Sequence, residues 1–279
     1  MKGNLNAFEN QFKKNLLINF KKIKINKAKN IFITSNLSKL AKTNIPKEKI
    51  LEIILETLKT SMGKNYSIFS PASTLNLCNT NKIFDLKKTP SYNMGPLAEY
   101  IRKIKNSVRC IHPFWSVVCI GKNSKLLKKV SPHAYGVGSA WSIMLDLDTV
   151  QLNLGIHPSK AVTLIHHIET VFKVPYRYDK KFIQKINNKG KIYKDEFYLS
   201  VLYNDKSIKK KKKLNEHFFK KMKNLNKLNY TTDLIGLDMW SFKMRDFYSV
   251  ASKMFKKDIF TYLEKKPNLK NFNIKKINK

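Results

Sequence analysis

The chain has little arginine, little acidic charge, few cysteines and no long apolar run, and each shortage narrows what it can be. Of 55 basic residues only Arg102, Arg109, Arg177 and Arg245 are arginine, and 19 Asp and Glu oppose them. Nucleic-acid readers lean on arginine forks interleaved with aromatic side chains. A non-enzymatic, nucleic-acid-binding role therefore lacks its usual pattern, and no specific nucleic-acid partner is expected. The three cysteines, Cys78, Cys110 and Cys119, are an odd number without a CxxC pair. That fits a reducing compartment, with the cytoplasm as the default, better than a disulfide framework. No apolar run approaches the roughly 20 residues of a spanning helix. The first thirty residues mix Asn, Lys and Glu with short apolar clusters, unlike a signal peptide.

What the chain does have is length and lysine. With 279 residues, 42% of them hydrophobic, there is material for a substantial core, as one large α/β domain or two lobes. The net charge of +36 would ordinarily suggest nucleic acid, an anionic membrane or a phosphorylated ligand. Lysine, asparagine and isoleucine are abundant together, as AT-rich coding produces, so much of that charge reads as a solvated surface.

Along the chain, Phe8, Phe12, Leu16 and Phe20 recur every fourth residue and paint one stripe on a helix from Asn4 to Lys24. Asn30 to Ile33 reads as a buried strand, followed by the polar turn Thr34-Ser35-Asn36 and a helix from Lys47 to Ser61 that Gly63 ends. A polar turn just past a strand is where backbone N–H groups receive an anionic ligand in α/β proteins. A second strand spans Tyr66 to Phe69, and Pro96 stands at the first turn of a helix from Leu97 to Ile104. Val117 to Gly121 is a buried strand preceded by a loop crowded with Arg109, His112, Phe114 and Trp115.

Ala161 to Glu169 sets His166 and Glu169 three residues apart in an apolar run, on one face if the run is helical. A carboxylate beside an imidazole fixes its tautomer and suits a general base. The same pair could be an ordinary rim feature or two metal ligands, but companion ligands are missing and no metal is expected. His167 should point away from His166. Beyond Arg177, residues 178–194 are lysine-rich with turn signals at Asn187-Asn188 and Gly190, and Phe197 to Tyr203 is a strand. Lys209 to Lys213 reads as a solvated loop or helix start rather than a phosphate contact. A helix from Glu216 to Leu228, an amphipathic region from Leu234 to Leu263 and a frayed basic tail from Pro267 complete the chain.

Five segments in series carry a resemblance. Phe84 to Arg102 reads F-D-x-x-x-T-P-S-x-x-M-G-x-L-A-E-x-x-R, and Arg109 to Gly121 reads R-C-x-H-P-x-x-S-V-x-x-x-G. Then come Y-G-x-G-S-x-W from Tyr135 to Trp141, T-x-x-H-x-x-E from Thr163 to Glu169, and V-P-Y-R from Val174 to Arg177. In order and spacing they resemble the aminoglycoside 3-N-acetyltransferase family, distinct from the GNAT acetyltransferases, with weaker similarity from about Asn30 to Pro267.

The resemblance implies an α/β fold with a mixed central sheet flanked by helices, formed by a catalytic domain over residues 29–266. An amphipathic helical segment, residues 1–28, precedes that domain and the tail 267–279 follows it. It implies a ternary mechanism with acetyl-CoA as co-substrate and no metal. His166 would be the general base for the acceptor amine and Glu169 its polarising partner. Thr34, Ser35 and Asn36 stand where the family has His-Ser-Ser holding the CoA pyrophosphate, and only Ser35 is retained. Arg109 and Ser116 join the expected cofactor contacts, while Asp85, Tyr92, Glu99 and His112 are the expected acceptor contacts. Oxyanion donors are sought near Ser116 or Ser139. The expected partner is a small-molecule amine on a monomer or homodimer: an aminoglycoside, or a negatively charged, nucleotide-linked amino sugar destined for surface polysaccharide.

Overall fold

The computed structural model describes residues 2–43, 45–211, 215–233 and 235–269, with no statement on the side chains of residues 2–6. Lys212 and Lys213 of the lysine run, and the tail from residue 270, lie outside the described residues.

The strands are β1 Asn30–Ser35, β2 Ser67–Pro71, β3 Phe84–Asp85, β4 Val108–Arg109, β5 Val117–Gly121, β6 Val150–Leu154, β7 Arg177–Asn188, β8 Lys191–Leu202, β9 Asn229–Thr232 and β10 Asp238–Lys243. The helices are α1 Lys2–Lys22, α2 Lys47–Met62, α3 Pro96–Lys103, α4 Ala140–Asp146, α5 Leu164–Val171, α6 Glu216–Asn224 and α7 Met244–Lys257. Seven strands form one sheet in the order β4-β5-β2-β1-β6-β10-β9, and β3-β7-β8 form a smaller one. The centre of the large sheet, β2-β1-β6, is parallel, while β5 and β10 join antiparallel on either side. This is the mixed sheet flanked by helices that the resemblance implies.

Alternation along β1 divides the molecule into two layers. Ile31 and Ile33 enter a core with Phe12, Leu16 and Phe20 of α1, the Ile and Leu residues of α2, and Leu97 and Ile101 of α3. Phe32 points the opposite way, into a core with Trp141 of α4, Leu164, Ile165 and Ile168 of α5, Phe218 and Phe219 of α6, and Phe247 and Phe255 of α7. The helical stripe expected at the N-terminus is therefore buried from Phe12 onward, with Phe8 left exposed.

Two stretches differ from their sequence reading. The lysine-rich stretch after Arg177 is β7, paired over its whole length with β8, and the turn signals at Asn187, Asn188 and Gly190 mark the hairpin tip. The region from Leu234 onward, read as amphipathic throughout, opens with β10 and becomes helical only at Met244.

Candidate active site

His166 and Glu169 sit in α5, whose buried stripe Leu164, Ile165 and Ile168 seats it on the aromatic layer. Helical spacing brings His166 Nδ1 to 2.7 Å from Glu169 Oε2. Arg177, the first residue of β7, adds its Nε at 2.9 Å from the same oxygen. Its NH2 lies 3.2 Å from His166 Nδ1, and its NH1 donates to the Ser200 carbonyl. A guanidinium only donates, so Nδ1 cannot serve Arg177 as acceptor and Glu169 as donor at once. The shorter carboxylate contact decides the assignment: Nδ1 carries the proton, and Nε2 keeps its lone pair.

The electrostatics favour the same state. Burial pulls the His166 imidazole below its ordinary value, against the Glu169 hydrogen bond that would raise it. For Glu169, burial would raise the carboxyl, but the hydrogen bond and charge of His166 and the charge of Arg177 outweigh it and hold it low. The result is an ionised, fully buried carboxylate behind a neutral imidazole whose side chain keeps 22% of its surface exposed. Nε2 has no hydrogen-bond partner among the described residues. The rings of Tyr135 and Tyr262 flank His166 at centroid distances of 5.8 and 6.1 Å. Tyr135 and Tyr176 keep buried hydroxyls without a partner among the described residues. Burial holds both phenols well above their ordinary range, with the Glu169 carboxylate adding to it, so both remain protonated donors.

The turn after β1 faces the same layer at Thr34, which follows Phe32 by two residues. It and α5 each follow the carboxyl end of a central parallel strand, β1 and β6, which is where open α/β sheets bind ligands. The Thr34 hydroxyl accepts from Asn153 Nδ2 at 2.8 Å, and Asn36 Oδ1 accepts from the Ser38 backbone. The Ser35 hydroxyl has no partner among the described residues. A Cβ on Gly155 would collide with the Asn36 carbonyl, and one on Gly95 would stand 3.5 Å from the Ser35 carbonyl. The close approach requires glycine at position 155, while at Gly95 it is the φ of 85° rather than space that favours glycine.

The remaining expected contacts are braces in this structure. Arg109 is buried and spends its nitrogens on the Ser116 hydroxyl at 3.0 Å and on the carbonyls of Thr89 and Ala72. Burial, with the charge of Arg102, holds that guanidinium down to about 10. Ser116 donates to the Cys110 carbonyl, and Ser139 caps α4 and donates to the Gly136 carbonyl. His112 is buried, takes the Trp115 N–H on Nδ1, and is held by burial down to about 4. Asp85 ties down its own turn through the Lys87 and Lys88 N–H groups and takes the Asn187 amide. Glu99 would rise with burial, but Arg102 and Ser91 hold it at about 2. Tyr92 is exposed.

Arg177 as the partner of Glu169 was not read from sequence, although it closes the V-P-Y-R segment that signalled it. In the lysine run Lys209 and Lys210 are exposed, and the loop is anchored at two points. Lys210 bridges Leu263 antiparallel, and the Lys211 Nζ donates to the Thr261 carbonyl at 2.7 Å. The segment bearing Tyr262 is thereby pinned beside His166. The Lys210 residue is exposed, and partial desolvation followed by the charge of Arg177 lowers its ammonium below the ordinary value. Among the described residues, no group of three or more His, Cys, Asp or Glu is arranged to hold a metal, and no helix is long and apolar enough to cross a membrane.

The sequence profile described as aminoglycoside 3-N-acetyltransferase matches residues 33–256. The chain belongs to the aminoglycoside 3-N-acetyltransferase family. It is thus an acyltransferase of a family that uses acetyl-CoA. Solved members share the fold at low identity. The aminoglycoside acetyltransferase AAC(3)-IVa apoenzyme is 18% identical over 91% of each chain, with a TM-score of 0.68. AAC-IIIb in a binary complex with CoASH is 14% identical over 91% of this chain and 98% of its own, with a TM-score of 0.75. AAC-VIa bound to sisomicin is 16% identical over 88% and 97%, with a TM-score of 0.71. No curated protein matches the chain by sequence.

Proposed function

We propose that this acetyltransferase moves the acetyl group of acetyl-CoA to an amino group of an aminoglycoside or related amino sugar, with His166 as general base. The observation that carries this reading is the neutral imidazole, its Nδ1–H held by Glu169 and its Nε2 without a partner. An aliphatic amine is mostly protonated at neutral pH and must lose a proton before or during attack. Nε2 takes that proton as the nitrogen bonds to the thioester carbonyl carbon. The C–S bond then breaks and the thiolate leaves. Glu169, already ionised, stabilises the imidazolium that results and keeps the ring oriented. Arg177 keeps Glu169 ionised.

The turn at residues 34–36 takes the pyrophosphate, with Ser35 supplying the free hydroxyl. Thr34 and Asn36 use their side-chain oxygens on Asn153 and on the Ser38 N–H, so the backbone carries more of the contact here. Arg109 and Ser116 shape the cofactor cleft from beneath, and Asp85, Glu99 and His112 fix the loops on which Tyr92 stands exposed to an acceptor.

The setting of Lys210 favours a second acceptor. Arg177 and Lys210 outnumber the Glu169 carboxylate around a neutral His166, which repels a polycation and attracts an amino sugar bearing phosphate or carboxylate. Purified protein mixed with acetyl-CoA and a panel of aminoglycosides and nucleotide-linked amino sugars, with free thiol followed, tests both. Acceptor-dependent thiol release supports the reading, and the better acceptor decides between the two. Release that no amine accelerates contradicts both.

A further inference from the structure

We propose that a row of side chains across the sheet, Thr34, Asn153, Trp240 and Tyr230, extends the turn after β1 into a platform for the adenosine end of coenzyme A, with Trp240 stacking the adenine. The proposal rests on the reading that residues 34–36 take the pyrophosphate.

The row follows from register. Thr34 is opposite Asn153, Asn153 is opposite Trp240, and Trp240 is opposite Tyr230. Register partners project from one face, and neighbouring strands lie about 4.8 Å apart, so Trp240 stands roughly 10 Å from Thr34 and Tyr230 roughly 14 Å. A nucleotide spanning the row with its phosphates at the turn would bring its base to the rings. The side chains suit that order. Asn153 is wholly buried and gives its amide to Thr34, yet its Oδ1 has no partner among the described residues. That oxygen lies beneath the surface, so Asn153 props Thr34 from below while Thr34 and the rings at the ends of the row are the parts a ligand can meet.

Trp240 is only half-buried. Its ring meets Tyr230 at 5.3 Å and 36°, and His157 approaches it edge-on at 5.3 Å and 75°. Tyr230 is 57% exposed, and its hydroxyl is pinned by Asp238 Oδ1 at 2.8 Å. Cross-strand aromatic pairs do stabilise sheet edges. The Gly155 N–H, bonded to the Asp238 carbonyl at 2.7 Å, ties the end of β6 to β10 and keeps the row in register.

Titration calorimetry on the full chain tests the platform with two probes, acetyl-CoA and S-acetyl-4′-phosphopantetheine, which keeps one phosphate for the turn and lacks the second together with the 3′-phosphoadenosine. Base stacking on an aromatic ring supplies about 1–3 kcal/mol, or roughly 5- to 150-fold in Kd. Trp240→Ala should weaken acetyl-CoA by about tenfold or more and leave the shorter probe unchanged. Trp240→Phe should retain most of the affinity. Tyr230→Ala, on the exposed edge strand where folding is not at stake, should give a smaller loss in the same pattern. Should Trp240→Ala leave acetyl-CoA within twofold, or weaken both probes alike, the platform is wrong. Ser35→Phe separates this from the underlying reading. If it weakens both probes while Trp240→Ala weakens neither, the turn stands and the platform falls. If it weakens neither, the turn itself has been misplaced.

Discussion

The two faces of the seven-stranded sheet are built to different rules. The face under α1, α2 and α3 is packed with Ile and Leu, and buried polar groups such as Thr57 and Ser241 donate to backbone carbonyls. The opposite face is aromatic, holds both buried histidines, His112 and His167, and leaves Tyr135, Trp141, Gln151, Asn153, Glu169 and Tyr176 with at least one buried polar atom unpartnered among the described residues. An unsatisfied buried polar atom costs stability. Most of them lie on the aromatic face, with Ser70 an exception on the aliphatic one, and that bias is what a face shaped for ligands would carry.

Substitutions should separate the two faces. The largest effect expected is on chemistry: His166→Ala should lower turnover by about two to four powers of ten, with melting temperature and acetyl-CoA affinity retained. On the aliphatic face, Leu58→Ala removes a wholly buried side chain and should cost about 2–5 kcal/mol in urea unfolding while kcat stays near wild type.

Acid should find the aromatic face first. His112 and His167 are held by burial at about 4, so the unfolded chain binds protons below pH 6.5 that the folded one refuses. Stability should therefore fall from pH 6.5 to 4, by about 3 kcal/mol for each histidine at pH 4. His112→Gln should flatten that fall, and an unchanged slope would remove His112 from the account. The smallest effect is expected at the neighbour of the base. His167 Nδ1 accepts the Gly136 N–H at 3.2 Å, so His167→Ala should cost about 1–3 kcal/mol of stability with little change in rate.

The fold was legible wherever burial imposed a period. The stripe from Phe12 to Phe20, the runs at β1, β2 and β5, and α2 with its Gly63 stop all read correctly, because one face or both had to be apolar. β7 hid because a hairpin strand half in solvent needs few apolar residues: Gln184 and Ile186 face inward, while Lys180, Lys181 and Ile183 are exposed. β10 hid because the amphipathic pattern of α7 follows it directly and the strand is only six residues long. At the site, the spacing of His166 and Glu169 predicted their contact, since helical neighbours are set by local geometry. Arg177 reaches Glu169 from the start of β7, and the bridge of Lys210 to Leu263 anchors the segment that carries Tyr262 to His166. Both are tertiary contacts without local periodicity. The solitary charges near the dyad could therefore be found only as motif members, or not at all.

The central claim is that a neutral His166, oriented by ionised Glu169, is the base. The direct measurement is the pH dependence of kcat at saturating acetyl-CoA and acceptor, in wild type and in Glu169→Gln. Because burial holds His166 below the ordinary imidazole value, the wild-type rate should hold through pH 6.5 and fall only at lower pH, as the ring takes up its proton. Glu169→Gln removes the group that raises His166, so its limb should move lower still while the plateau drops. A limb that Glu169→Gln leaves in place, with the plateau intact, would contradict the account.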